Sequence, residues 1–205
     1  MIRNCHTLIS KSKKAKTFIF LSHNHNFINL EVLLLLIGSS TPSLSWGLHV
    51  ESVISKANSR RYFLVVLRRA GLSPAHLLRF YITFVRPILE YAAPVWHPGL
   101  TQCQSQQLET VQRLALRSIY PDLSYSLALQ TTGLPRLADR RTLLCHHFAT
   151  SAIKSSDFRH WFPQRRRDYH GRELRNSDSL SIPWSTTRYR NSPMIFMSRL
   201  LNNST

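Results

Sequence analysis

The sequence is poor in acidic residues, cysteine and glycine, and each shortage excludes a class of protein. Its 205 residues include 10 Asp and Glu against 27 Lys and Arg, a formal net charge of +17. Three cysteines without a Cys-x-x-Cys pair argue against a disulfide framework or a zinc knuckle, and favour a nuclear or cytoplasmic location. Six scattered glycines form no phosphate-binding loop. The charge predicts a polyanionic partner, and nucleic acid is the usual one.

The sequence also lacks the residue groups that enzymes use. Its acidic residues are singletons, and no two adjacent carboxylates are present to hold a pair of metal ions. Two segments contain residue types that commonly bind metal ions, His23–His25 and Cys145–His147. Successive residues of a helix point about 100° apart, so Cys145, His146 and His147 are not expected to share one ion. We therefore expect no catalytic residue, no metal, no cofactor and no small-molecule substrate.

Helical periodicity dominates the middle of the chain. A first helix is predicted from His49 to Ala70, and Gly71 suits the left-handed residue that ends a helix. Ser73 and Pro74 then suit the cap and first turn of a second helix. The apolar stripe of the first helix contains Val50, Val53, Ile54, Ala57, Leu64 and Leu67.

Proline interrupts the second helix. Pro87 removes one backbone hydrogen bond and its ring clashes with the carbonyl four residues back, so we expect a bend there. Pro94 and Pro98 are expected to hold the following segment extended, which lets Trp96 turn back over the core. The simplest interpretation of these residues, including His97, is a packing corner without a catalytic role.

Capping signals delimit three more helices. Thr101 and Gln104 have the spacing of a capping box. A short helix is predicted between a cap at Asp122 or Ser124 and a stop at Gly133. A further amphipathic pattern contains Leu137, Leu144, Phe148 and Ile153, and a last short helix is expected to start at Pro193.

These patterns predict a mainly α fold, a small helical bundle. Residues 1–40 are expected to be a poorly ordered segment with a short strand or turn. Its apolar run, residues 30–38, is shorter than the ~20 residues of a membrane span. Residues 41–154 are expected to form the helical domain, and residues 155–205 a basic, partly disordered extension that is exposed to solvent.

Arginines in two regions are the candidate nucleic-acid contacts. Arg61 and Arg68 are two helical turns apart, so they are expected about 10 Å from each other on one side of the first helix. That arrangement suits phosphate contacts, although a solvated helix face is an equal alternative. In the C-terminal region arginine alternates with tyrosine, which is typical of phosphate contact and base stacking or of a disordered basic tail. The candidates are Arg60, Arg61, Arg68, Arg69, Arg165, Arg166, Arg167, Arg188 and Arg190.

Two strings carry a family resemblance. They are FYITFVRPILEYAAPVWHPGLT (residues 80–101) and LETVQRLALRSIY (residues 108–120). Together with the flanking sequence from about residue 35 to 202, they resemble the region after the palm in reverse transcriptases of non-LTR, LINE-type retrotransposons. The resemblance implies the thumb and C-terminal region of an RNA-directed DNA polymerase, which grips RNA–DNA hybrid or target DNA. The magnesium-binding carboxylates of that family belong to a palm that has no counterpart in this sequence.

The chain departs from the resembled family in its first helix. Val65 and Val66 stand where the family pattern has two arginines, and Arg61 stands where it has an apolar residue. Both departures predict a weaker grip of that helix on nucleic acid, so the C-terminal Arg165, Arg166 and Arg167 are expected to carry much of the binding. As a whole, the sequence predicts a non-catalytic fragment that binds nucleic acid.

Two other interpretations stay open. The segment SKANSRRYFLVVLRRAG (residues 55–71) also resembles an N-terminal helical segment of AlkB-type tRNA-modifying enzymes, dioxygenases or methyltransferases. An iron site needs two histidines and a carboxylate on one face, and the only His-x-Glu pair, His49 and Glu51, is expected to diverge on a helix. A basic protein of the membrane surface is the second alternative.

Overall fold

The computed structural model describes residues 46–170, 175, 177–184 and 190–203. Within these ranges the chain is mainly helical, as predicted, and the one β-type pairing is an isolated antiparallel bridge between Arg165 and Leu180. The strand or turn expected in residues 1–40 lies outside the described residues. The helices are α1 (Gly47–Arg69), α2 (Pro74–Phe80), α3 (Arg86–Glu90), α4 (Ala93–Trp96), α5 (Gln102–Ile119), α6 (Tyr125–Thr132), α7 (Leu137–Lys154), α8 (Arg166–His170) and α9 (Pro193–Asn202).

The long helix α1 packs along α5. Its predicted stripe is buried at Val50, Val53, Ala57 and Leu64, and Ile54 and Leu67 form the half-buried edges. The end of α1 has the hydrogen bonds of a Schellman motif. Gly71, at φ 84°, donates to the Arg68 carbonyl, and the Leu72 N–H donates to the Leu67 carbonyl.

The bend expected at Pro87 takes the form of a π-helical turn just before it. Residues Tyr81–Val85 connect α2 to α3, and the Arg86 N–H donates to the Tyr81 carbonyl, five residues back. The wider turn accommodates a proline ring that would clash with the carbonyl of an ordinary helix. Tyr81, Val85 and Leu89 remain fully buried on one face.

The segment after α3 is helical rather than extended, so that expectation is wrong. Pro94 lies in the first turn of α4, and Pro98 lies in the 3₁₀ turn His97–Gly99, because the fixed φ of proline suits the start of a helix. Ala92 reverses the chain at a left-handed φ of 53°. Trp96 is fully buried, as predicted, and its Nε1 donates to the Tyr91 carbonyl at 2.8 Å.

The capping predictions for α5 and α6 are confirmed. The Gln104 N–H donates to Thr101 Oγ1 at 3.2 Å, and the Thr101 N–H donates to Gln104 Oε1 at 2.9 Å. Ser124, not Asp122, caps α6, and Gly133 ends it at φ 65°. The buried face of α5 includes Leu108, Val111, Ala115 and Ile119.

A second, smaller core lies between α7 and the C-terminal residues. Cys145 and Ala149 of α7 are buried against Phe162, Leu180 and Met197. The last of these belongs to α9, which begins at Pro193 as expected. The Leu180 N–H donates to Asn202 Oδ1 at 2.8 Å, and Asn202 Nδ2 donates to the Leu180 carbonyl at 3.1 Å. In the described part of the chain beyond residue 155, Phe162, Leu180 and Met197 are therefore buried in a core, whereas Arg166 and Arg167 are exposed to solvent.

Candidate nucleic-acid interface

A groove lined by arginine runs between α1 and α5. We call it the arginine groove, and its volume is about 400 Å³. Because the buried stripes of α1 and α5 face each other, the residues beside each stripe become the groove walls. The lining consists of Arg61, Arg68, Leu114, Arg117, Ser118 and Pro121.

The arginine groove carries uncompensated positive charge. In the described part of the chain, no carboxylate lies within ion-pair distance of Arg61, Arg68 or Arg117. Arg61 is half-buried, and its Nε donates to the Asn58 Oδ1 at 3.2 Å, which orients the guanidinium. Arg68 and Arg117 are exposed. Three guanidinium groups on two facing helices form a surface that suits successive phosphates.

Sequence reasoning missed Arg117. Leu114, Arg117 and Ser118 are spaced three and four residues apart, so they share one face of α5. That spacing is visible in the sequence. The pairing of this face with Arg61 and Arg68 depends on α1 packing against α5, which no local pattern specifies.

The C-terminal arginines are largely paired with acidic side chains. Arg165 Nη1 and Arg167 Nη1 lie 3.2 and 3.1 Å from the same oxygen, Asp178 Oδ1. Arg167 Nε also lies 3.8 Å from Asp168 Oδ1. Arg166 is exposed and is in none of these ion pairs. The charge of this segment is therefore partly neutralised by its own carboxylates.

The remaining predicted arginines lie away from the arginine groove. Arg60 lines a separate groove on the other flank of α1, and Arg69 is exposed at the end of that helix. Arg190 is exposed shortly before α9, and Arg188 lies outside the described residues. In the arginine groove, the structure thus brings together two of the predicted arginines, Arg61 and Arg68.

A positively charged side chain, Arg141, is buried inside the helical bundle. Arg141 of α7 is fully buried, its Nη2 donates to Ser105 Oγ at 2.9 Å, and its guanidinium lies 5.8 Å from the Trp96 ring centre. Its Nε donates to His97 Nδ1 at 3.3 Å. Burial, and then the charge of Arg141, lowers the pKa of His97 to about 4. His97 is therefore a neutral acceptor, and its Nε2 faces Thr142 Oγ1 at 3.2 Å.

A second polar network joins α5 to its neighbours. The Tyr81 hydroxyl donates to Gln112 Oε1 at 2.7 Å, and Gln112 Nε2 donates to the Tyr125 hydroxyl and the Pro135 carbonyl, each at 3.1 Å. Tyr125 donates a short hydrogen bond to Glu109. Burial, and then that bond, raises the pKa of Tyr125 well above its usual value. These bonds hold α5, and therefore Arg117, in a fixed position.

The residues suggested for an iron site point apart. His49 is packed between the rings of Trp46 and Trp96, at centroid distances of 5.8 and 5.6 Å, whereas Glu51 is exposed. Burial, and then the charge of Lys56, lowers the pKa of His49. Among the described residues, His, Cys, Asp and Glu form no group of three close enough to hold a metal ion.

No described helix combines the length and the hydropathy that a membrane crossing requires. The chain matches no protein-family model, no curated protein and no solved structure. The resemblance to LINE-type reverse transcriptases therefore stays a prediction that rests on the quoted residues.

Proposed function

We propose that the chain is a non-catalytic, nucleic-acid-binding piece of a LINE-type reverse transcriptase, equivalent to its thumb region. In this proposal α1 and α5 hold the sugar–phosphate backbone. The observation that carries it is the arginine groove, where Arg61, Arg68 and Arg117 converge without a carboxylate partner in the described part of the chain.

The spacing of the groove supports contact with a phosphate backbone. Arg61 and Arg68 are two turns apart on α1, about 10 Å. Measured along the helix axis, where each strand of B-form DNA rises about 3.4 Å per nucleotide, that distance corresponds to about three nucleotides. Arg117 reaches the same groove from α5, so the positive charge lies on both walls.

The proposed binding is largely independent of base sequence. Arginine contacts to phosphate set position and affinity but carry no information about the bases. Such binding releases counterions, and each neutralised phosphate contributes about −0.9 to the slope of log affinity against log salt for duplex DNA. The salt slope therefore counts the phosphate contacts directly.

The test is a salt titration of binding to a duplex DNA and to an RNA–DNA hybrid. The variant R61Q/R68Q/R117Q is expected to flatten the slope by up to about 2.7. A matched control, R136Q/K154Q/R175Q, removes the same charge from exposed positions outside α1 and α5, and is expected to keep a slope near that of the parent. Equal flattening in both variants, or a parental slope in the groove variant, would contradict the proposal.

The proposal also assigns no polymerase activity to the chain. Two-metal phosphoryl transfer needs paired carboxylates, and the acidic residues of this sequence are singletons. We expect no magnesium-dependent primer extension by the purified chain. Extension that a single substitution within the chain abolishes would overturn this part of the proposal.

A further inference from the structure

The flank of α1 opposite the arginine groove carries a groove of different chemistry. We call it the aromatic groove, and its volume is about 290 Å³. It is lined by Arg60, Phe63, Val66, Leu67, Phe80 and Phe84. Apart from Arg60, every lining residue is apolar.

The aromatic groove is exposed to solvent although its residues are apolar. Phe63 and Phe84 each expose 52% of their surface, and Val66 exposes 40%. The Phe80 and Phe84 rings face each other at a centroid distance of 4.9 Å and an angle of 34°. Contiguous exposed apolar surface of this kind marks binding sites.

The π-helical turn helps to form this surface. Phe84 belongs to the turn that accommodates Pro87, and it stands one helical turn after Phe80. While Tyr81 and Val85 of the same turn enter the core, Phe84 stays outside it. The π-helical turn therefore places Tyr81 and Val85 in the core and leaves the Phe84 ring on the surface beside α1.

The charge around the aromatic groove selects a polyanionic occupant. Arg60 is part of the lining, is exposed, and has no carboxylate within ion-pair distance among the described residues. The acidic residue of α1, Glu51, is exposed and lies in the first half of that helix, more than two turns before Arg60. The arginine groove lies on the other flank of α1, about one helix diameter or 10 Å away.

We propose that the aromatic groove receives unpaired bases of a nucleic acid whose phosphates extend to the arginine groove. This inference rests on the proposed function and names its ligand as a single strand, or a duplex with a single-stranded end. Bases within a duplex already stack on each other, so their faces are hidden. An unpaired base offers a free apolar face to Phe63 or Phe84, and the adjoining phosphate meets Arg60.

The test compares two single strands that carry the same charge. Fluorescein-labelled oligo-dT and an abasic oligonucleotide of equal length have the same phosphates, but only the first has bases. We expect the parent chain to bind oligo-dT about 5- to 150-fold more tightly than the abasic strand, which corresponds to one stacked base. F63A/F84A is expected to remove this difference and to leave the salt slope unchanged, because stacking neutralises no phosphate.

Two further variants keep the test decisive. F63L/F84L retains an apolar surface but removes the rings, and is expected to lose the preference for oligo-dT as fully as the alanine variant. Y91A removes an aromatic residue that is 48% exposed outside the groove, and is expected to keep the preference. Circular dichroism establishes that each variant is folded before binding is measured.

Four outcomes would overturn the inference. They are equal affinity of the parent for both strands, a preference that F63L/F84L retains, phenylalanine-dependent binding to phosphatidylserine vesicles without any preference for bases, and phenylalanine-dependent self-association in sedimentation without that preference. The proposed function is tested separately, because R61Q/R68Q/R117Q should flatten the salt slope for both strands even where the base preference is absent.

Discussion

The arginines of α1 and those of the segment around α8 look alike in sequence, but their surroundings differ. In the arginine groove, no carboxylate lies within ion-pair distance of Arg61 or Arg68 in the described part of the chain. Around α8, Asp178 lies within 3.2 Å of both Arg165 and Arg167. The first surface can bind an anion directly, whereas Arg165 and Arg167 of the second must first give up their shared partner.

This difference shows why net charge alone does not locate a binding surface. The exposed ion pairs at Asp178 are each worth at most about 1 kcal/mol, so they add little stability. They nevertheless compete with a phosphate for the same guanidinium groups. The sequence favours the C-terminal arginines because Val65 and Val66 replace the arginine pair of the resembled family in α1. The ion-pair geometry favours the groove instead, because its arginines lack such competitors in the described part of the chain.

The largest expected effect tests the scaffold on which each surface is built. Trp96→Ala empties a fully buried site, removes the hydrogen bond to Tyr91 and the contact with Arg141, and is expected to destabilise the chain by about 3–5 kcal/mol. Phe162→Ala opens the smaller core, and is expected to cost about 3 kcal/mol, the lower end of that range. Urea denaturation measures both.

The Phe162→Ala variant also separates the two arginine surfaces. Phe162→Ala disturbs the core between α7 and α9, and it is expected to leave the salt slope of binding unchanged because the groove lies on α1 and α5. If Phe162→Ala flattens the slope while the α1–α5 bundle stays folded, the C-terminal surface carries the binding and the comparison is reversed.

The second prediction concerns pH, because His97 lies where the bundle meets α9. Its ring contacts the Phe196 ring at 5.8 Å, and its Nδ1 accepts the Arg141 hydrogen bond. The pKa of His97 is about 4 in the folded chain, against an ordinary value of 6.5. Between these values the unfolded chain binds the additional proton, so stability should fall by up to about 3 kcal/mol as pH drops from 6.5 to 4.

The matched variant for the pH prediction is His97→Gln, which cannot take up this proton. Glu90 also titrates in acid, since burial raises its pKa in spite of the nearby Arg86 and Arg140. The informative quantity is therefore the difference in urea midpoint between parent and His97→Gln across the pH range. A constant difference would mean that protonation of His97 does not destabilise the folded chain in this pH range.

Local signals were sufficient for much of the fold. The capping box at Thr101 and Gln104 and the stop at Gly133 follow from neighbouring residues alone, and the structure confirms both. Arg141 shows the opposite case. It lies one turn after Leu137 on the buried face of α7, but a charged residue is rarely buried, so its burial is not expected from that position. Its hydrogen-bond partners His97 and Ser105 are more than 30 residues away in the sequence, so no local pattern reveals them.

The candidate site is less predictable from the sequence, because it too depends on contacts between residues that are distant in the sequence. Arg61 and Arg68 were found from their spacing, but their proximity to Arg117 depends on how α1 packs against α5. The pairing of Arg165 with Asp178 joins residues 13 positions apart through a chain reversal with no regular periodicity. Packing between distant segments and ion pairing decide which arginines are available to a nucleic acid. These long-range interactions leave no periodic pattern in the sequence.

The smallest expected effect comes from releasing the paired arginines. Asp178→Asn removes the carboxylate shared by Arg165 and Arg167, and is expected to steepen the salt slope by up to about 1.8 if both then contact phosphate. Asp157→Asn makes the same change of charge at an exposed residue whose carboxylate accepts a bond from Ser156, and is expected to leave the slope near the parental value. A difference in salt slope between the two variants would show that Asp178 competes with phosphate for these arginines, because both variants change the net charge equally. Equal slopes for the two variants would mean that the C-terminal arginines lie too far from the bound nucleic acid to matter, which would leave the arginine groove and Arg60 of the aromatic groove as the proposed phosphate contacts.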